Sequence, residues 1–379
     1  LKKIIPLVLS LLLLSGCWDL RESEKLGIVT FLGIDSAGNG ALRVVIQELS
    51  SEKNSLGTQA AGGASTVEVH EAMGRTVTEA VSQINNHSPH VTDFSHTYAI
   101  VLSEELVSAE GISPLLDFLE RTPSIRHNVW LLISRKGQFS EVCDPEAAYN
   151  SSVGTGKVIM EIIHNNQFDS VCAASTLGDF LNMYWEKGAQ PYTAGVGLAE
   201  NKPDKPDSFD IAVEDTAVFR DGKLAGWLGE EETMGLLWVK GGLKDGIFSV
   251  EVGGKELSLD IVKESSKIKP ERDGNAMRAA IAIRAKVNLM ESQTELDFTD
   301  AEALASLKEA MREKIAKQVN SAFERSKVLD SDVFGLGNYF YGKYPAFWRD
   351  IEDKGTDYCQ LMDISLNIVT SQGNIGLMK

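Results

Sequence analysis

AAIAIRAKVNL, residues Ala279–Leu289, alternates side chains so that Ile281, Ile283, Ala285, Val287 and Leu289 share one face of an extended strand. Ten residues later TDAEALASLKEAMREKIAKQVNSAF (299–323) changes period. Leu304, Leu307, Met311, Ile315, Val319 and Phe323 recur at helical spacing, and Thr299 with Glu302 forms a capping box at the start. Met362, Ile364, Leu366 and Ile368 alternate again in a closing strand. Strand, long helix and strand specify an α+β unit in which the helix covers one face of a sheet, expected to be antiparallel.

Working back from that unit, Ser265–Asn275 is charged, contains Pro270 and reads as a boundary. Phe248–Val252 and Leu257–Val262 read as strands, and Ile211–Phe219 with Leu224–Leu228 bracket a hairpin turn at Asp221-Gly222. Glu200–Ser208, with Pro203 and Pro206 among charges, reads as a second boundary. Upstream, Leu177–Trp185 and Lys157–Asn165 are helix candidates and Val129–Ser134 is a strand. Ser113-Pro114 opens a helix through Leu119, with the serine as cap and the proline at the first helical position. Thr97–Leu102 reads as a buried strand. Thr76–Ile84 places Val77, Ala80, Val81 and Ile84 on one helix face, with a Thr76–Glu79 capping box. Leu26–Leu32 and Leu42–Leu49 are strands around a turn at 35–40, and the glycine-rich stretch 50–65 is a loop. The expected fold class is α+β, three mixed α/β domains in one lipid-anchored chain. These are an N-terminal α/β domain (17–199), a mainly β middle domain (200–270) and a C-terminal α+β domain (271–379), preceded by a signal peptide (1–16).

The signal peptide and the anchor come from the first seventeen residues. Lys2 and Lys3 precede an apolar run of 11 positions, Ile4–Leu14, and then the small residues Ser15 and Gly16. A membrane-spanning helix needs about 20 residues, so this run suits export, not a permanent span. Leu14-Ser15-Gly16-Cys17 resembles the lipobox of bacterial lipoproteins, which predicts diacylglyceryl transfer to the Cys17 thiol. An ordinary signal peptide with a chance cysteine is the plainer alternative. Two acyl chains anchor stably, at about 0.8 kcal/mol per buried methylene.

Charge restricts the partners. Against 37 Lys and Arg stand 54 Asp and Glu, a formal net charge of -17, and loss of Lys2 and Lys3 with the signal makes it -19. Such a balance argues against nucleic-acid binding and against an electrostatic grip on anionic lipid, which leaves the acyl anchor to act without a basic patch. Cys143, Cys172 and Cys359 form no CxxC pair; a Cys143–Cys172 disulfide and buried free thiols are both open. The search for chemistry finds no catalytic residue, cofactor or metal site. Gly154-Thr155-Gly156-Lys157 resembles a phosphate loop, but Ser151 replaces its first glycine and Val158 its metal-binding hydroxyl. Gly335-Leu336-Gly337 lacks the third glycine of a dinucleotide fingerprint. His87, His90 and His96 are close in sequence, yet a Ser88-Pro89 turn separates the first two. Glu230-Glu231-Glu232 suits a helix start.

Short motifs in order along the chain carry more. They are Cys17-Trp18-Asp19 with Arg21-Glu22, Gly33-Ile34-Asp35, Gly74-Arg75-Thr76 and Ser95-His96. Asp117-Phe118-Leu119, Asp221-Gly222-Lys223-Leu224 and Glu232-Thr233-Met234-Gly235-Leu236-Leu237-Trp238 follow. The last are Asp332-Val333-Phe334-Gly335-Leu336-Gly337, Tyr344-Pro345 and Trp348. In these the chain resembles the C-subunit family of bacterial spore germinant receptors, Ger(x)C. It departs after Trp348, where the family places another tryptophan and an aromatic; Lys354–Cys359 offers only Tyr358. The resemblance implies three mixed α/β domains without known catalytic activity. It further implies a lipoprotein on the outer face of the spore inner membrane, working in germination with integral-membrane A and B subunits. Whether this subunit touches the nutrient is not implied.

Lipidation at Cys17 is the functional residue carried over. Candidates for partner contacts are Arg21 and Glu22, equally readable as linker, and Asp332, Gly335 and Gly337. Tyr339, Phe340 and Tyr341 beside the last three are read as exposed and are candidates too, and the plainer alternative is that glycines shape a loop there while the aromatics fill a core. A solute-binding lipoprotein of a transporter is the rival function, and it requires two similar lobes around a cleft.

Overall fold

A computed structural model describes residues 26–49, 67–144, 154–166, 172–199 and 210–373, except 242, 244, 245, 295, 297, 299, 355 and 356. The signal peptide 1–16, Cys17, Arg21, Glu22, the 50–65 loop and the 200–208 boundary lie outside the described residues.

The first half is built from β1 (Leu26–Gly38), β2 (Ala41–Leu49), β3 (Val67–Gly74), α1 (Val77–His87), β4 (Val91–Asp93), β5 (Ala99–Ser103), α2 (Glu104–Ala109) and α3 (Ser113–Arg121). It continues with β6 (Trp130–Ser134), α4 (Phe139–Val142), α5 (Thr155–Asn166), β7 (Ser175–Thr176), α6 (Leu177–Trp185), β8 (Tyr192–Leu198), β9 (Ile211–Arg220) and β10 (Lys223–Leu228). Together the strands make one ten-stranded sheet in the order β10-β9-β8-β6-β5-β1-β2-β3, with β4 beside β1 and β7 beside β6. β1, β5, β6 and β8 run parallel at its centre, and antiparallel hairpins extend both edges. The central strand β5 reads AIVLS and is buried throughout, as a parallel strand covered on both faces must be. Val77, Leu106, Leu115 and Phe180 cover one face, and Phe139, Ile159 and Ile163 the other.

The second half holds α7 (Glu230–Lys240), β11 (Ile247–Val252), β12 (Lys255–Asp273), β13 (Ala276–Ser292), α8 (Ala301–Val328), α9 (Leu336–Lys343), α10 (Pro345–Asp353), α11 (Tyr358–Leu361) and β14 (Met362–Gln372). Its sheet runs β11-β12-β13-β14, with Leu307, Met311, Ile315, Val319 and Phe323 of α8 buried against it. Each such side chain contributes about 1.5–3 kcal/mol of burial. The expected antiparallel sheet is corrected to a mixed one: β14 is parallel to β13, because α8 carries the chain back to the end where β13 began.

The stretch 200–270 is shared between the two sheets, since β9 and β10 close the first while β11 and most of β12 open the second. Ser265–Asn275 is the far half of β12 and its turn into β13. Its charges face solvent from an exposed sheet surface, and Pro270 sits where β12 has no strand on its outer side. Cap details shift as well. Thr76 caps α1 through the Glu79 N–H, but the Glu79 carboxylate accepts from Arg75 N instead of Thr76 N. Ser113 begins α3 without capping it and bonds the Tyr184 hydroxyl at 2.7 Å. Asp300 caps α8, accepting from the N–H groups of Glu302 and Ala303, while Thr299 lies outside the described residues. No helix among the described residues is long and apolar enough to cross a membrane.

The halves share one apolar cluster, in which Tyr192, Val218 and Leu228 of the first sheet's edge join Trp238, Val319 and Phe334. Helix α7 is the bridge. Its first turn holds Glu230, Glu231 and Glu232, where negative charge meets the helix dipole, and the Glu232 carboxylate accepts from Gly229 N at 3.0 Å. Fully buried Trp238 donates its indole N–H to Gln318 on α8 at 2.9 Å. Gly235 lets the two helices approach so closely that a Cβ there would overlap the Gln318 carbonyl and crowd Ala322. Gly235→Ala is therefore expected to lower stability by about 2–3 kcal/mol, as overpacking does. Urea unfolding checks this: the midpoint should fall at unchanged slope, and an unchanged midpoint would show that α7 and α8 separate freely.

Candidate functional site

Helix α8 ends at Val328, and the chain turns through Asp330, whose φ of 49° is left-handed, into the 332–337 segment. Asp332 is 4% exposed. Its carboxylate accepts from the N–H groups of Leu336 at 3.0 Å and Gly337 at 2.7 Å, closing a tight loop at the start of α9. Gly335 occupies the left-handed cap position, φ 65°, which glycine adopts without strain. The loop is then fastened to the first half of the molecule. Gln190 N donates to Asp332 O at 3.0 Å, Asn338 N to Gly188 O at 2.9 Å, and the Ser331 hydroxyl to Phe219 O at 2.6 Å.

Two glycines make that closeness feasible. A Cβ on Gly188 would lie 2.5 Å from Gly337 C, and one on Gly337 would lie 2.8 Å from Gly188 O and 2.6 Å from the Trp348 ring. Trp348 and Tyr358 pack over Gly337 with ring centroids 4.7 Å apart. Tyr358 alone thus fills the place where the segment after Trp348 departs from the resemblance. Tyr339 and Tyr341 are exposed on the α9 surface as expected, but Phe340 is corrected to a fully buried residue, since the α9 turn carries it to the core side. Of the sequence-derived contact candidates, the structure brings Asp332, Gly335 and Gly337 into one internal junction between the halves.

Burial pushes the Asp332 carboxyl up to about 6, against the pull of the Gly337, Leu336 and Gly335 N–H groups and of Lys240. Burial in turn lowers Lys240, opposed by Asp332 and Glu186. Beside the junction a cleft of about 450 Å³ opens between residues 186–190, the Asp221-Gly222 turn, α10 and α11. Its carboxylates already have partners. Glu352 accepts from the Trp348 indole at 2.8 Å and Asp221 pairs with Arg220 at 3.0 Å, while Glu186 accepts from Asn338. Nearby, ligand atoms of Asp330, Asp357 and Cys359 lie within 4.8 Å of one another, but the Arg220 guanidinium already supplies the positive charge at Asp330.

Elsewhere His90 bonds Glu48 at 3.0 Å and His87 bonds Gln83 O, so the sequence-adjacent histidines serve different local contacts. Cys143 and Cys359 are buried, unbridged thiols, which excludes a Cys143–Cys172 disulfide here; burial pushes both upward, away from a reactive thiolate. Sequence reasoning missed Gly188, Gln190 and Lys240 as junction residues. Gly188 after a helix reads as an end signal, and nothing local tells which backbone it will face.

Asp332 generates a pH prediction. Its folded value lies above the ordinary 3.8, so its contribution to stability is complete below about pH 3.8 and is lost as pH rises through about 6. Between about pH 4 and about pH 7 the protein should lose up to about 3 kcal/mol relative to Asp332→Asn. Parallel urea titrations of the two proteins measure this, and identical pH slopes would rule it out.

Residues 19–198 match the family model for the spore germination protein N-terminal domain, and residues 214–370 match the model described as spore germination B3/GerAC like, C-terminal. Spore germination protein KC of Bacillus subtilis is 24% identical over 371 residues, covering 92% of this chain and 89% of that protein. Spore germination protein B3 of the same organism is 23% identical over 370 residues, covering 97% and 96%. The crystal structure of the GerBC protein superposes with a TM-score of 0.55 at 18% identity, over 90% of this chain and 96% of that one.

Proposed function

This chain belongs to the GerAC-like family of spore germination proteins, and from that premise we propose that it is the lipoprotein C subunit of a spore germinant receptor. In this reading Cys17 carries the acyl anchor and the folded halves stand on the outer face of the spore inner membrane. There they assemble with integral-membrane A and B subunits, and the chain contributes binding surfaces without catalysing a reaction. The observation that carries the reading is the pair of family matches, which together run from residue 19 to residue 370. The lipobox pattern Leu14–Cys17 supports the anchor. The junction at Asp332 supports a subunit that presents its two halves as one body, because its core runs through both. A ten-stranded and a four-stranded sheet are not the two similar lobes that a solute-binding lipoprotein requires.

Spores carrying Cys17→Ala should lose the protein from the membrane fraction and with it the nutrient-triggered response. A full response with the protein still on the membrane would remove the lipid anchor from the proposal. In the same assay Asp332→Ala and Gly335→Val should lower receptor level and slow germination, by breaking the loop that holds the halves together. Normal receptor levels and a normal response in both would show that the junction is dispensable for assembly.

A further inference from the structure

The outer face of the second sheet, opposite α8, carries no covering element among the described residues. Register puts its side chains in rows across β12, β13 and β14. One row is Lys269, Ala280 and Ser365, and the next is Lys267, Ala282 and Asn367. Ser265, Arg284 and Val369 follow, then Lys263, Lys286 and Ser371. Five cations and no carboxylate occupy these four rows, in a chain whose formal net charge is -17. All five are exposed, and none has an ion-pair partner among the described residues. The neighbouring row holds Glu271, Arg278 and Asp363, with Arg278 and Asp363 3.8 Å apart. At the other end the row Ile247, Asp260 and Asn288 follows Lys263 and Lys286, and Glu251 and Glu256 lie beyond it on the β11 hairpin.

We propose that this basic sheet face is a docking surface for an anionic phospholipid bilayer. Net charge hid it, but at physiological salt the field of a charge is screened within about 8–10 Å, so a surface in contact with the face meets the five cations, with Asp260, Glu271 and Asp363 at the two ends of the patch, and not the carboxylates elsewhere on the chain. The shape fits a planar partner. Rows about 6.8 Å apart on strands about 4.8 Å apart give a patch roughly 20 Å long and 10 Å wide. Alanine and serine between the lysines leave it without a groove. Protein interfaces favour aromatics and are depleted in lysine, whereas here Val369 is the one large apolar side chain in the four rows. Lysine and arginine side chains reach the phosphates of a headgroup layer from such a face, each strengthening adhesion about fivefold. The acidic β11 end would tilt away from the same surface, which gives the docked molecule one orientation.

The test uses the mature chain, residues 17–379, carrying Cys17→Ser, so that neither the apolar leader nor an acyl group contributes and the anchor proposal stands or falls separately. Co-sedimentation is measured with vesicles of phosphatidylglycerol and phosphatidylethanolamine, and with phosphatidylcholine alone. Binding is expected to the anionic vesicles at about 0.1 M salt, to disappear near 1 M, and to be absent from the neutral ones. Lys267→Glu, Lys269→Glu, Arg284→Glu and Lys286→Glu together should weaken it at least about tenfold. Circular dichroism verifies the fold, and the milder pair Lys267→Gln and Lys269→Gln should weaken binding by a smaller factor should the quadruple variant unfold. Failure of the unaltered face to bind anionic vesicles at low salt overturns the proposal and leaves an acidic protein as the occupant. Equal binding by the charge-altered proteins overturns it as well.

Discussion

A buried carboxylate must be met by donors, and the loop around Asp332 is organised to supply them. The Leu336 and Gly337 N–H groups point inward only if the chain reverses at Gly335 in a left-handed conformation, and Gly337 can lie there only if no side chain separates it from Gly188. Leaving a buried acceptor unmet costs about 1–3 kcal/mol or more when it is charged. The carboxylate thereby fixes the start of α9, the seat of Trp348 and Tyr358, and the line along which the two halves meet. Continuity of the apolar core through Tyr192, Trp238 and Phe334 follows from that seating.

Much of this was legible in residue order. The alternation at 279–289, the stripe on 304–323 and the closing strand specified the second unit, since a sheet face and a helix stripe leave separate periods. Leu304 is the exception in the stripe, being half-buried while neighbouring Ala303 takes the inward position. The hairpin at Asp221-Gly222 and the Thr76 cap were equally local and equally visible. What periodicity does not carry is pairing. Alternation cannot tell a parallel from an antiparallel neighbour, and the parallel direction of β14 leaves no mark in its sequence. Nor can composition tell a linker from a solvent-facing strand, so the charged far half of β12 read as a boundary although Lys263–Glu271 pairs residue by residue with β13.

The site was legible in part for the same reason. Asp332, Gly335 and Gly337 stood out as a motif, and their local geometry is what an aspartate and two glycines at that spacing produce. Their partners, Gly188 and Gln190, lie some 150 residues earlier, and only the folded chain brings them to the loop. Asp332, Gly335 and Gly337 hydrogen-bond one another inside the molecule. Tyr339 and Tyr341 are exposed on α9 beside the loop.

Net charge taught the opposite lesson from periodicity. A sum of -17 is a property of the whole chain, while adhesion is decided within a Debye length of the contacting surface. On its outer face the second sheet groups Lys263, Lys267, Lys269, Arg284 and Lys286 in successive rows, with Glu271 and Asp363 at the turn end and Asp260, Glu256 and Glu251 toward β11. Strand alternation then sends every second residue to the same side. In β12 the inward positions Ser266, Ile268 and Pro270 meet the core, so Lys263, Lys267 and Lys269 have no other place to go than the outer face. A junction packed through one apolar core makes that face matter to the rest of the molecule. With the two halves sharing one core, whatever orients the second sheet also orients the ten-stranded sheet, the cleft beside Trp348 and the exposed edge of α9.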